Sequence, residues 1–544
     1  MGIGNVGQTS ARLELAKRWR AEGWHGDQTL IEAMEAGVDA HPEALLVFGS
    51  RTRPAVLTIE QVQREGRRLA AALIGRGFVP GDVVVMQLPN CAEWAVGWYA
   101  AAHAGLVVAP VVHIYGPSEL GYIMRDSGAK ALITPDAWRS YDYLERIAQL
   151  GECPDLELVV TVGEKTTPDG VLWQDLIAEA DGAAAGGVAA HAGVDADDAC
   201  LLLYTSGTTA DPKGVVHTHN TLLAELETMH RELRRELDGV FLNPGPAGHV
   251  TGALTMTRPF LYGTNAVSMD AWHPEDAVDL VLEHQVTQSV GAPVFINTML
   301  DVAEARGIEL PLRDFMLGAA SVPPSSVARA DAAGIKGYRC YGSTEHPTIS
   351  TGHPSDDVEV RVHTDGSIIT GTELRVLDED GADCPTGVDG DLVVIGPDQF
   401  IGYLDDTLNA DAFTDDGWFR TGDIGHLDER GNLTITDRRK DVIIRGGENL
   451  SSKEIEDALN RHPDVAEAAV VSAPDKRLGE IACAFVILRP GAGLDLPAVA
   501  DWFAAQGLAK QKTPERLEFV DDFPRTPSGK IRKVELRQQL RNDN

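Results

Sequence analysis

The chain has 544 residues, of which 43% are apolar, and a formal net charge of −35 at pH 7. This length exceeds what one hydrophobic core supports, so at least two domains are expected. The negative charge argues against nucleic acid and anionic lipid as partners, because both need a positive contact surface. No apolar run approaches a membrane span, and the first twenty residues lack the apolar core of a secretion signal, so we expect a cytoplasmic protein. The six cysteines form no CxxC pair and predict neither a disulfide framework nor a zinc site.

The first two hundred residues alternate between helix and strand patterns. Residues 58–77 carry apolar side chains at helical spacing, 82–88 form a continuous apolar run typical of a buried strand, and a helical run and a second strand follow at 91–103 and 106–112. This alternation predicts βαβ units with parallel strands and crossover helices. Residues 180–193 are rich in Ala and Gly without a periodic apolar face, which predicts a loop.

Residues 204–214 form a run of hydroxyls and glycines that ends in a lysine and a glycine, directly after the apolar stretch 199–203. Backbone N–H groups that approach closely, hydroxyl donors and a cation are what a polyphosphate needs. The residues expected to contact phosphate are Thr205, Ser206, Gly207, Thr208, Thr209 and Lys213. The run is not a Walker loop, because the lysine lies beyond a proline and no Ser or Thr follows it. The alternative is a Ser/Thr-rich surface turn.

Further α/β alternation covers residues 215–345, and a strand-rich region runs from about 358 to 436. The charged stretch 437–441, between predicted strands at 433–436 and 442–444, is the best candidate for a domain boundary. Helices at 454–462 and 496–506 and strands at 466–473 and 481–488 are predicted beyond it. We therefore expect an N-terminal domain over 1–436, a hinge over 437–441 and a C-terminal domain over 442–544.

Five further motifs accompany the run at 204–214, all in one order. They are Gly318-Ala319-Ala320-Ser321, Tyr341-Gly342-Ser343-Thr344-Glu345, Thr421-Gly422-Asp423, the stretch 437–441 with Gly446-Gly447-Glu448-Asn449, and Pro527-Ser528-Gly529-Lys530. Together they resemble the adenylate-forming superfamily of acyl-CoA synthetases, peptide-synthetase adenylation domains and luciferases, over roughly residues 30–540. The N-terminal part looks most like CoA ligases for medium-chain, alicyclic or steroid-type acids. The resemblance implies an α/β fold: a large N-terminal domain of βαβ layers with a strand-rich subdomain, and a small, mobile α+β C-terminal domain.

The resemblance also implies a two-step reaction with ATP, Mg²⁺ and coenzyme A. A carboxylate attacks the α-phosphorus of ATP, and a thiol then displaces AMP from the acyl-adenylate. The first step brings two anions together, so it needs cations and oriented donors. Lys530 is the expected catalyst, Glu345 the magnesium ligand and Thr344 a donor to the α-phosphate. The alternatives are a solvated lysine near the chain end and a carboxylate at a helix N-terminus.

Other roles are implied residue by residue. Asp423 would accept the ribose hydroxyls, and Arg438 would help to hold the ribose or phosphate. Tyr341, with Gly342 beside it, would offer a flat face to adenine. The other side of the base would be left open by Gly318, Ala319 and Ala320. His249 would lie between acyl pocket and nucleotide; a structural histidine and a packed core tyrosine are the alternatives for His249 and Tyr341.

The second step is implied to use a rotated C-terminal domain. Lys440 falls at the family's hinge position, and Gly446 and Gly447 would line the pantetheine tunnel, where missing side chains leave the thiol a path. The alternative for the two glycines is a tight turn between strands. The resemblance also makes a homodimer plausible.

The chain departs from the family where Ala210 replaces the usual glycine of the phosphate loop, which puts the handling of ATP in doubt. Besides a complete acid–CoA ligase, three hypotheses stay open: a ligase weak in adenylation that mainly thioesterifies a supplied acyl-adenylate, a non-catalytic nucleotide- or acyl-binding protein, and a carrier protein in place of CoA. Small residues around 291–295, 318–321 and 340 suggest room for a bulky alicyclic, polycyclic or aromatic acid.

Overall fold

A computed structural model of the chain describes residues 6, 9–182, 193–205, 212–232, 239–446, 448–526 and 529–542. The elements up to residue 182 are helices α1 Ser10–Glu22, α2 Leu30–Ala40, α3 Ile59–Gly75, α4 Ala92–Ala104, α5 Pro117–Asp126, α6 Tyr143–Ile147 and α7 Trp173–Gly182, and strands β1 Leu45–Gly49, β2 Ala55–Thr58, β3 Val83–Met86, β4 Val107–Pro110, β5 Ala131–Pro135, β6 Ala137–Trp138, β7 Tyr141–Asp142, β8 Leu158–Val162 and β9 Val171–Leu172.

The middle of the chain continues the alternation of strands and helices. Its elements are strands β10 Ala199–Thr205, β11 Lys213–Thr218, β12 Val240–Asn243, β13 Ala266–Met269, β14 Val286–Gly291, β15 Asp314–Leu317, β16 Lys336–Tyr341 and β17 Ser350–Thr351, and helices α8 His219–Glu232, α9 Val250–Tyr262, α10 Pro274–Glu283, α11 Pro293–Arg306 and α12 Pro324–Ala332. Proline stands at the first position of α10, α11 and α12, where its fixed φ suits a helix start and no N–H is needed.

The last third of the chain contains mostly strands. Its elements are strands β18 Ser367–Ile368, β19 Glu373–Leu377, β20 Gly390–Ile395, β21 Gly402–Tyr403, β22 Phe419–Leu427, β23 Leu433–Arg438, β24 Ile443–Arg445, β25 Glu448–Leu450, β26 Val465–Asp475, β27 Gly479–Leu488 and β28 Arg516–Phe519, and helices α13 Val358–His363, α14 Asn409–Ala412, α15 Ser452–Asn460, α16 Leu496–Ala505 and α17 Lys533–Asn542.

The described residues of the first two thirds build two large sheets. One sheet has the order β21-β11-β10-β4-β3-β5-β8-β9, and the other has the order β18-β17-β16-β15-β14-β12-β13-β1-β2. Strand β3 is buried along its whole length, as its unbroken apolar sequence predicts for a parallel strand covered on both faces. The α/β prediction for this part of the chain is confirmed.

Helices α3 and α4 pack together against the first sheet. Thr58 and Gln61 form a capping box at the start of α3, which fixes where the helix begins. The buried face of α3 meets the aromatic side chains of α4, including Trp98 and Tyr99, in the largest hydrophobic cluster of the described residues. Gly66 of α3 lies so close to Tyr99 that a Cβ there would approach the ring to 2.6 Å.

A strand-rich region and a small α+β unit complete the chain. The strand-rich region is a sheet in the order β19-β20-β22-β23, and the α+β unit is a sheet of β25-β24-β27-β26 with β28 paired in parallel to β27. Two differences from the sequence prediction stand out. Strand β23 runs on to Arg438 because it pairs with β22, so the first two residues of the predicted hinge belong to a strand. The predicted loop 180–193 begins inside α7, and residues 183–192 lie outside the described part.

Candidate active site

The sequence motifs gather at one edge of the second sheet. Strands β12, β14, β15 and β16 run parallel, so their carboxyl ends meet at this edge. Gly318 follows β15 directly, and its N–H donates to the carbonyl of Gly291 at the end of β14, with N and O 3.1 Å apart. A Cβ on Gly318 would lie 2.4 Å from Sγ of Cys340 in β16. Ala319 has φ +61°, an unusual conformation for a residue other than glycine, and is exposed. Gly318 therefore lies tightly against β16.

Tyr341, Asp423 and Arg438 form one hydrogen-bonded group. The Tyr341 hydroxyl donates to Oδ2 of Asp423 over 2.6 Å, and Nε of Arg438 donates to Oδ1 of the same carboxylate over 2.5 Å. Burial, and then the charge of Asp423, raise the pKa of Tyr341 far above its usual value. Burial alone would lower the pKa of Arg438, but the Asp423 carboxylate outweighs it and raises that pKa. Asp423 is thus a fixed hydrogen-bond acceptor that is only 4% exposed.

The chain turns sharply after Tyr341, and contacts with Pro347 and His217 fix its backbone there. A Cβ on Gly342 would lie 2.0 Å from the carbonyl oxygen of Pro347, so only glycine fits this turn. The carbonyl of Thr344 accepts a hydrogen bond from Nε2 of His217 at 2.8 Å. Burial lowers the pKa of His217 to about 4, so its ring is neutral at pH 7. These contacts fix the backbone on both sides of Ser343.

Glu345 is held by residues that the sequence analysis did not select. The hydroxyl of Tyr403 donates to Oε1 of Glu345 at 2.7 Å, and the backbone N–H of Phe400 donates to the Glu345 carbonyl at 2.8 Å. The ammonium of Lys213 lies 5.0 Å from the centre of the Tyr403 ring, in cation–π range. Tyr403 therefore links the lysine of the predicted phosphate loop to the predicted magnesium ligand. Thr205 pairs with Lys213 across β10 and β11.

Several predicted contacts lie outside the described residues. They are Ser206, Gly207, Thr208 and Thr209 of the phosphate loop, together with Ala210, and Gly447 of the predicted tunnel. Only the two ends of the phosphate loop, Thr205 and Lys213, can thus be placed.

Lys530 reaches this edge from the C-terminal unit. Gly529 lies against α11 and the residue before it, because a Cβ on Gly529 would lie 3.1 Å from Val294 and 3.6 Å from Ala292. Lys530 as a residue is exposed to solvent, yet its ammonium is crowded by protein atoms. This desolvation, followed by the charges of Arg438 and Lys440, lowers the pKa of Lys530 to about 8, against the opposing effect of Asp423. The structure therefore brings Lys530 into the electrostatic reach of Asp423 and Arg438.

Comparison with known proteins shows the family of the chain. The sequence profile of the AMP-binding enzymes matches residues 34–404, more than half of the chain, and that of the AMP-binding enzyme C-terminal domain matches residues 454–530. The chain belongs to the AMP-binding enzyme family.

Two relatives of this AMP-binding enzyme are named as CoA ligases. The medium-chain fatty-acid–CoA ligase of Escherichia coli (strain K12) is 33% identical over 527 residues, which cover 96% of this chain and 92% of that protein. A (methyl-dioxo-octahydro-indenyl)propanoyl:CoA ligase of Mycobacterium tuberculosis (strain ATCC 25618 / H37Rv) is 35% identical over 480 residues, covering 86% of this chain and 91% of that protein. The crystal structure of ATP-bound MatB from Rhodopseudomonas palustris matches with a TM-score of 0.82 and 28% identity, over 95% of this chain and 100% of that chain.

His249 of this AMP-binding enzyme stands at the start of α9, close to the edge of the second sheet where the sequence motifs gather. This edge is called the cleft below. The preceding Gly248 packs on the first sheet's β4 loop, because its Cβ would lie 2.7 Å from the backbone nitrogen of Val112. Burial lowers the pKa of His249 to about 4, so its ring is neutral. Its Nε2 is buried and has no hydrogen-bond partner among the described residues. An orphaned ring nitrogen of this kind is a candidate contact for a bound molecule.

Not all of the small residues near His249 line an empty space. A Cβ on Gly291 would lie 2.6 Å from the ring of Phe295, and Phe295 in turn meets Trp272 edge-on with ring centres 4.7 Å apart. With the contact of Gly318 on Cys340 described above, these two glycines are required by close packing. The sequence argument that their small size indicates a wide acyl pocket is therefore not supported at these positions.

The predicted hinge lies where the AMP-binding enzyme passes from β23 to β24. Lys440 is exposed, and desolvation, then the charge of Arg438, lower its pKa. Gly446 has φ +60° and donates its N–H to the carbonyl of Leu478 over 2.8 Å, so it forms a tight turn between strands. Across the hinge, Nζ of Lys453 donates to the carbonyl of Ile435 at 2.7 Å. Residues before and after Lys440 are thus in direct contact with each other.

The described residues contain neither a candidate membrane-spanning helix nor a candidate metal cluster. Within the described ranges, none of the helices is long and apolar enough to cross a membrane. Nor does that part of the chain contain a group of three or more His, Cys, Asp or Glu side chains placed to hold a metal ion.

Proposed function

We propose that this AMP-binding enzyme is an ATP-dependent acid–CoA ligase that performs both half-reactions. The observation that carries the proposal is the contact of Gly529 with Val294 and Ala292, which brings the neighbouring Lys530 close enough to Asp423 and Arg438 for their charges to shift its pKa. A cation from one unit thereby faces a fixed ribose acceptor from the other. The names of the relatives, which are CoA ligases, support the same reaction.

In the first half-reaction a carboxylate oxygen attacks the α-phosphorus of ATP, and pyrophosphate leaves. Asp423 accepts the ribose hydroxyls, while the hydrogen bonds from Arg438 and Tyr341 keep its carboxylate oriented. The ammonium of Lys530 and the hydroxyl of Thr344 stabilise the negative charge that develops on the α-phosphate. The ammonium of Lys213 stabilises the negative charge of the departing pyrophosphate. The turn at Gly342 and the backbone of 318–320 border adenine.

Glu345 is the residue that would hold magnesium. Its carboxylate is a hard oxygen ligand, oriented by Tyr403, and the phosphate oxygens of ATP would complete the coordination. When bound, the metal ion supplies charge neutralisation at the phosphates. Orientation of Glu345 depends on Tyr403 and Phe400, and these contacts exist without the ion.

In the second half-reaction the CoA thiol attacks the acyl carbonyl, AMP leaves and the thiol proton is released. Lys530 and its neighbours occupy the approach in the present arrangement, so the C-terminal domain, residues 442–544, rotates about Lys440 to admit the thiol. The strand β24 and the turn at Gly446 then face the cleft. The sequence motifs support this division into domains and hinge.

The acid is proposed to be an apolar carboxylic acid of medium-chain or alicyclic type. The side chains near the cleft end of α9 and α11 are uncharged: His249 is neutral, and Val294, Phe295 and Trp272 are apolar. The two relatives named above are ligases for acids of these types. A homodimer and a cytoplasmic location stay predictions.

A panel of acids tests this proposal. Purified protein is given each acid with ATP, Mg²⁺ and CoA, and both pyrophosphate release and the mass of the thioester are followed. We expect medium-chain or alicyclic acids to give both products. Pyrophosphate without thioester would point to a carrier protein as acceptor, and thioester only from supplied acyl-adenylate would point to a ligase weak in adenylation. Absence of either product with every acid would favour a non-catalytic binding protein.

Replacement of Lys530 by Ala separates the two half-reactions. The first should slow by about 10²–10³-fold, because a preorganised donor to a developing charge contributes roughly that factor. The conversion of a supplied acyl-adenylate to the thioester should keep its rate. An unchanged first half-reaction would overturn the role given to Lys530.

A further inference from the structure

We propose that helix α1 completes the adenylation site, and that Arg12 is a positioning residue for the predicted magnesium ligand Glu345. The inference rests on the proposed function, because it concerns the first half-reaction. The profile of the AMP-binding enzymes begins at residue 34, so α1 lies outside the stretch that this profile covers. Arg12 and Glu345 are joined by residues 396–401, which are called the β20–β21 connection below.

The N-terminal part of the chain holds the β20–β21 connection from one side. Nη2 of Arg12 donates to the carbonyl of Gln399 over 2.9 Å, and Nε2 of His25 lies 2.7 Å from the carbonyl oxygen of Pro397. Because a carbonyl oxygen only accepts, Nε2 of His25 is the donor in this contact. Burial lowers the pKa of His25 to about 4, so its ring is neutral at pH 7. Both hydrogen bonds end on backbone carbonyls, so they fix the main chain of the connection.

Apolar packing places α1 against the same region. Leu15 and Trp19 of α1 form a buried cluster with Ile395, the last residue of β20. A Cβ on Gly417 would lie 2.8 Å from the side chain of Leu15, and the side-chain amide of Gln399 donates to the Gly417 carbonyl over 3.2 Å. The helix and the β20–β21 connection therefore share one packed contact.

The other side of the β20–β21 connection faces Glu345. The carbonyl of Gln399 and the N–H of Phe400 belong to one planar peptide group. Arg12 donates to the carbonyl end of this group, and the N–H end donates to the Glu345 carbonyl over 2.8 Å. A charged donor at the carbonyl polarises the peptide group and strengthens its N–H as a donor. The ring of Phe400 also meets the ring of Tyr403, with centres 5.0 Å apart, and Tyr403 donates to the Glu345 carboxylate.

The guanidinium of Arg12 occupies this position although it loses water there. Burial lowers the pKa of Arg12 to about 10, against the opposing charges of Asp197 and Asp398. A desolvated charge is unfavourable unless hydrogen bonds and opposite charges compensate for it. Asp398 is fully buried, and its Oδ2 lies 2.8 Å from Nδ1 of His346, the residue after Glu345. The carboxylate that favours the charge of Arg12 thus also contacts the neighbour of the predicted magnesium ligand.

Titration with Mg²⁺ tests the inference. Pyrophosphate exchange is measured at a fixed ATP concentration over a series of Mg²⁺ concentrations. Arg12→Gln removes the charged donor to the Gln399 carbonyl, so the Mg²⁺ concentration for half-maximal exchange should rise about 5-fold. Arg12→Lys keeps a charged donor and should stay within about 2-fold of wild type. Lys17→Gln removes an exposed charge from the same helix, where it pairs with Glu14, and is the matched control that should change nothing.

Hydrogen exchange of the protein without ligands provides a readout that does not depend on activity. The amide of Phe400 is protected by its hydrogen bond to the Glu345 carbonyl. In Arg12→Gln the peptide that spans residues 397–404 should exchange about 10-fold faster, because loss of a charged hydrogen bond lowers the free energy of local opening. Lys17→Gln should exchange like the wild-type protein.

The double variant Arg12→Gln/Tyr403→Phe shows whether the two residues act on the same carboxylate. Its Mg²⁺ requirement should rise by less than the product of the two single effects, because both substitutions disturb Glu345. A rise equal to that product would show that Arg12 acts independently of Glu345 and would overturn the inference. Arg12→Met keeps the packing of the side chain on Trp19 and removes the donor, so it replaces Arg12→Gln if that variant does not fold.

The outcomes separate this inference from the proposed function. A lower melting temperature of Arg12→Gln with an unchanged Mg²⁺ requirement would show a purely structural role and overturn the inference. An equal rise in Lys17→Gln would also overturn it, because the effect would then come from net charge. Absence of pyrophosphate exchange by the wild-type protein at every Mg²⁺ concentration would instead overturn the proposed function. In that case the exchange rate of the peptide 397–404 still decides whether Arg12 holds the connection.

Discussion

The lowered pKa of Lys530 makes the first half-reaction sensitive to pH in a range where an ordinary lysine would not titrate. With a pKa of about 8, the ammonium is about nine-tenths populated at pH 7 and about one-tenth at pH 9. The protonated form stabilises the transition state, so kcat/KM for ATP should fall about tenfold between these two pH values. A lysine with a pKa near 10.4 would change its charge very little over the same range.

The pH dependence should differ between kcat/KM and kcat. The former reports the pKa of the free enzyme, and the latter that of the enzyme–substrate complex. Bound ATP and carboxylate bring negative charge next to Lys530, which favours its ammonium and raises its pKa. The fall of kcat should therefore begin at higher pH than the fall of kcat/KM.

Pyrophosphate exchange measured from pH 6.5 to 9.5 provides the assay. Arg keeps its charge throughout this range, so Lys530→Arg should lower the rate but remove the pH dependence. Thioester formation from supplied acyl-adenylate is the internal control and should not follow the same curve. A flat kcat/KM profile in the wild-type protein, or an unaltered decline in the arginine variant, would refute the reasoning.

Three further substitutions test the contacts around the nucleotide. Tyr403→Phe removes the donor to Glu345, so the Mg²⁺ concentration for half-maximal pyrophosphate exchange should rise about 10-fold, with thioester formation from acyl-adenylate as the unaffected control. Asp423→Asn should raise KM for ATP more than 10-fold, roughly the loss of one charged hydrogen bond; an unchanged KM would contradict the assignment of the ribose site. Gly342→Ala places a Cβ against the Pro347 carbonyl and forces the backbone to shift, so we expect pyrophosphate exchange to fall by about 10² or more and the melting temperature to fall as well; full activity would show that this turn is not needed.

Much of the fold follows from periodicity in the sequence. The apolar run at 82–88 contains the strand Val83–Met86, and the periodic segments at 58–77 and 454–462 contain most of the helices Ile59–Gly75 and Ser452–Asn460. The reason is physical: a face that must be buried imposes its period on the side chains. Pairing between distant strands imposes no such period. The extension of β23 to Arg438, which pairs with Asp423, was therefore beyond the reach of local patterns.

The sequence motifs predict the residues of the candidate site that would contact the ligands. They do not predict the residues that only orient those side chains. Tyr403 stands in the strand Gly402–Tyr403, far from Glu345 in sequence, and no local signal indicates that the two side chains meet. The local signal in the sequence is the Gly402-Tyr403 dipeptide, which by itself indicates no role for Tyr403. Small size at Gly291 and Gly318 was interpreted as room for a ligand, yet Phe295 and Cys340 occupy that space. A glycine reports a missing side chain without saying what takes its place.

The contacts across the hinge set a condition on the second half-reaction. Ser451, Ser452 and Lys453 each form a hydrogen bond to strand β23: Ser451 Oγ donates to the Thr436 carbonyl at 2.9 Å, the Ser452 N–H to Asp437 at 2.6 Å and Lys453 Nζ to the Ile435 carbonyl at 2.7 Å. Each is worth about 0.5–1.5 kcal/mol, so a rotation that breaks all three costs roughly 2–4 kcal/mol. Unless new contacts in the rotated state offset this cost, that state would be about 3% populated or less. Under the proposed mechanism, loss of pyrophosphate would remove an anion that holds Lys530 in the cleft, and binding of CoA would add contacts that exist only after rotation. The order of the two half-reactions thus follows from which ligand favours which arrangement of Lys530.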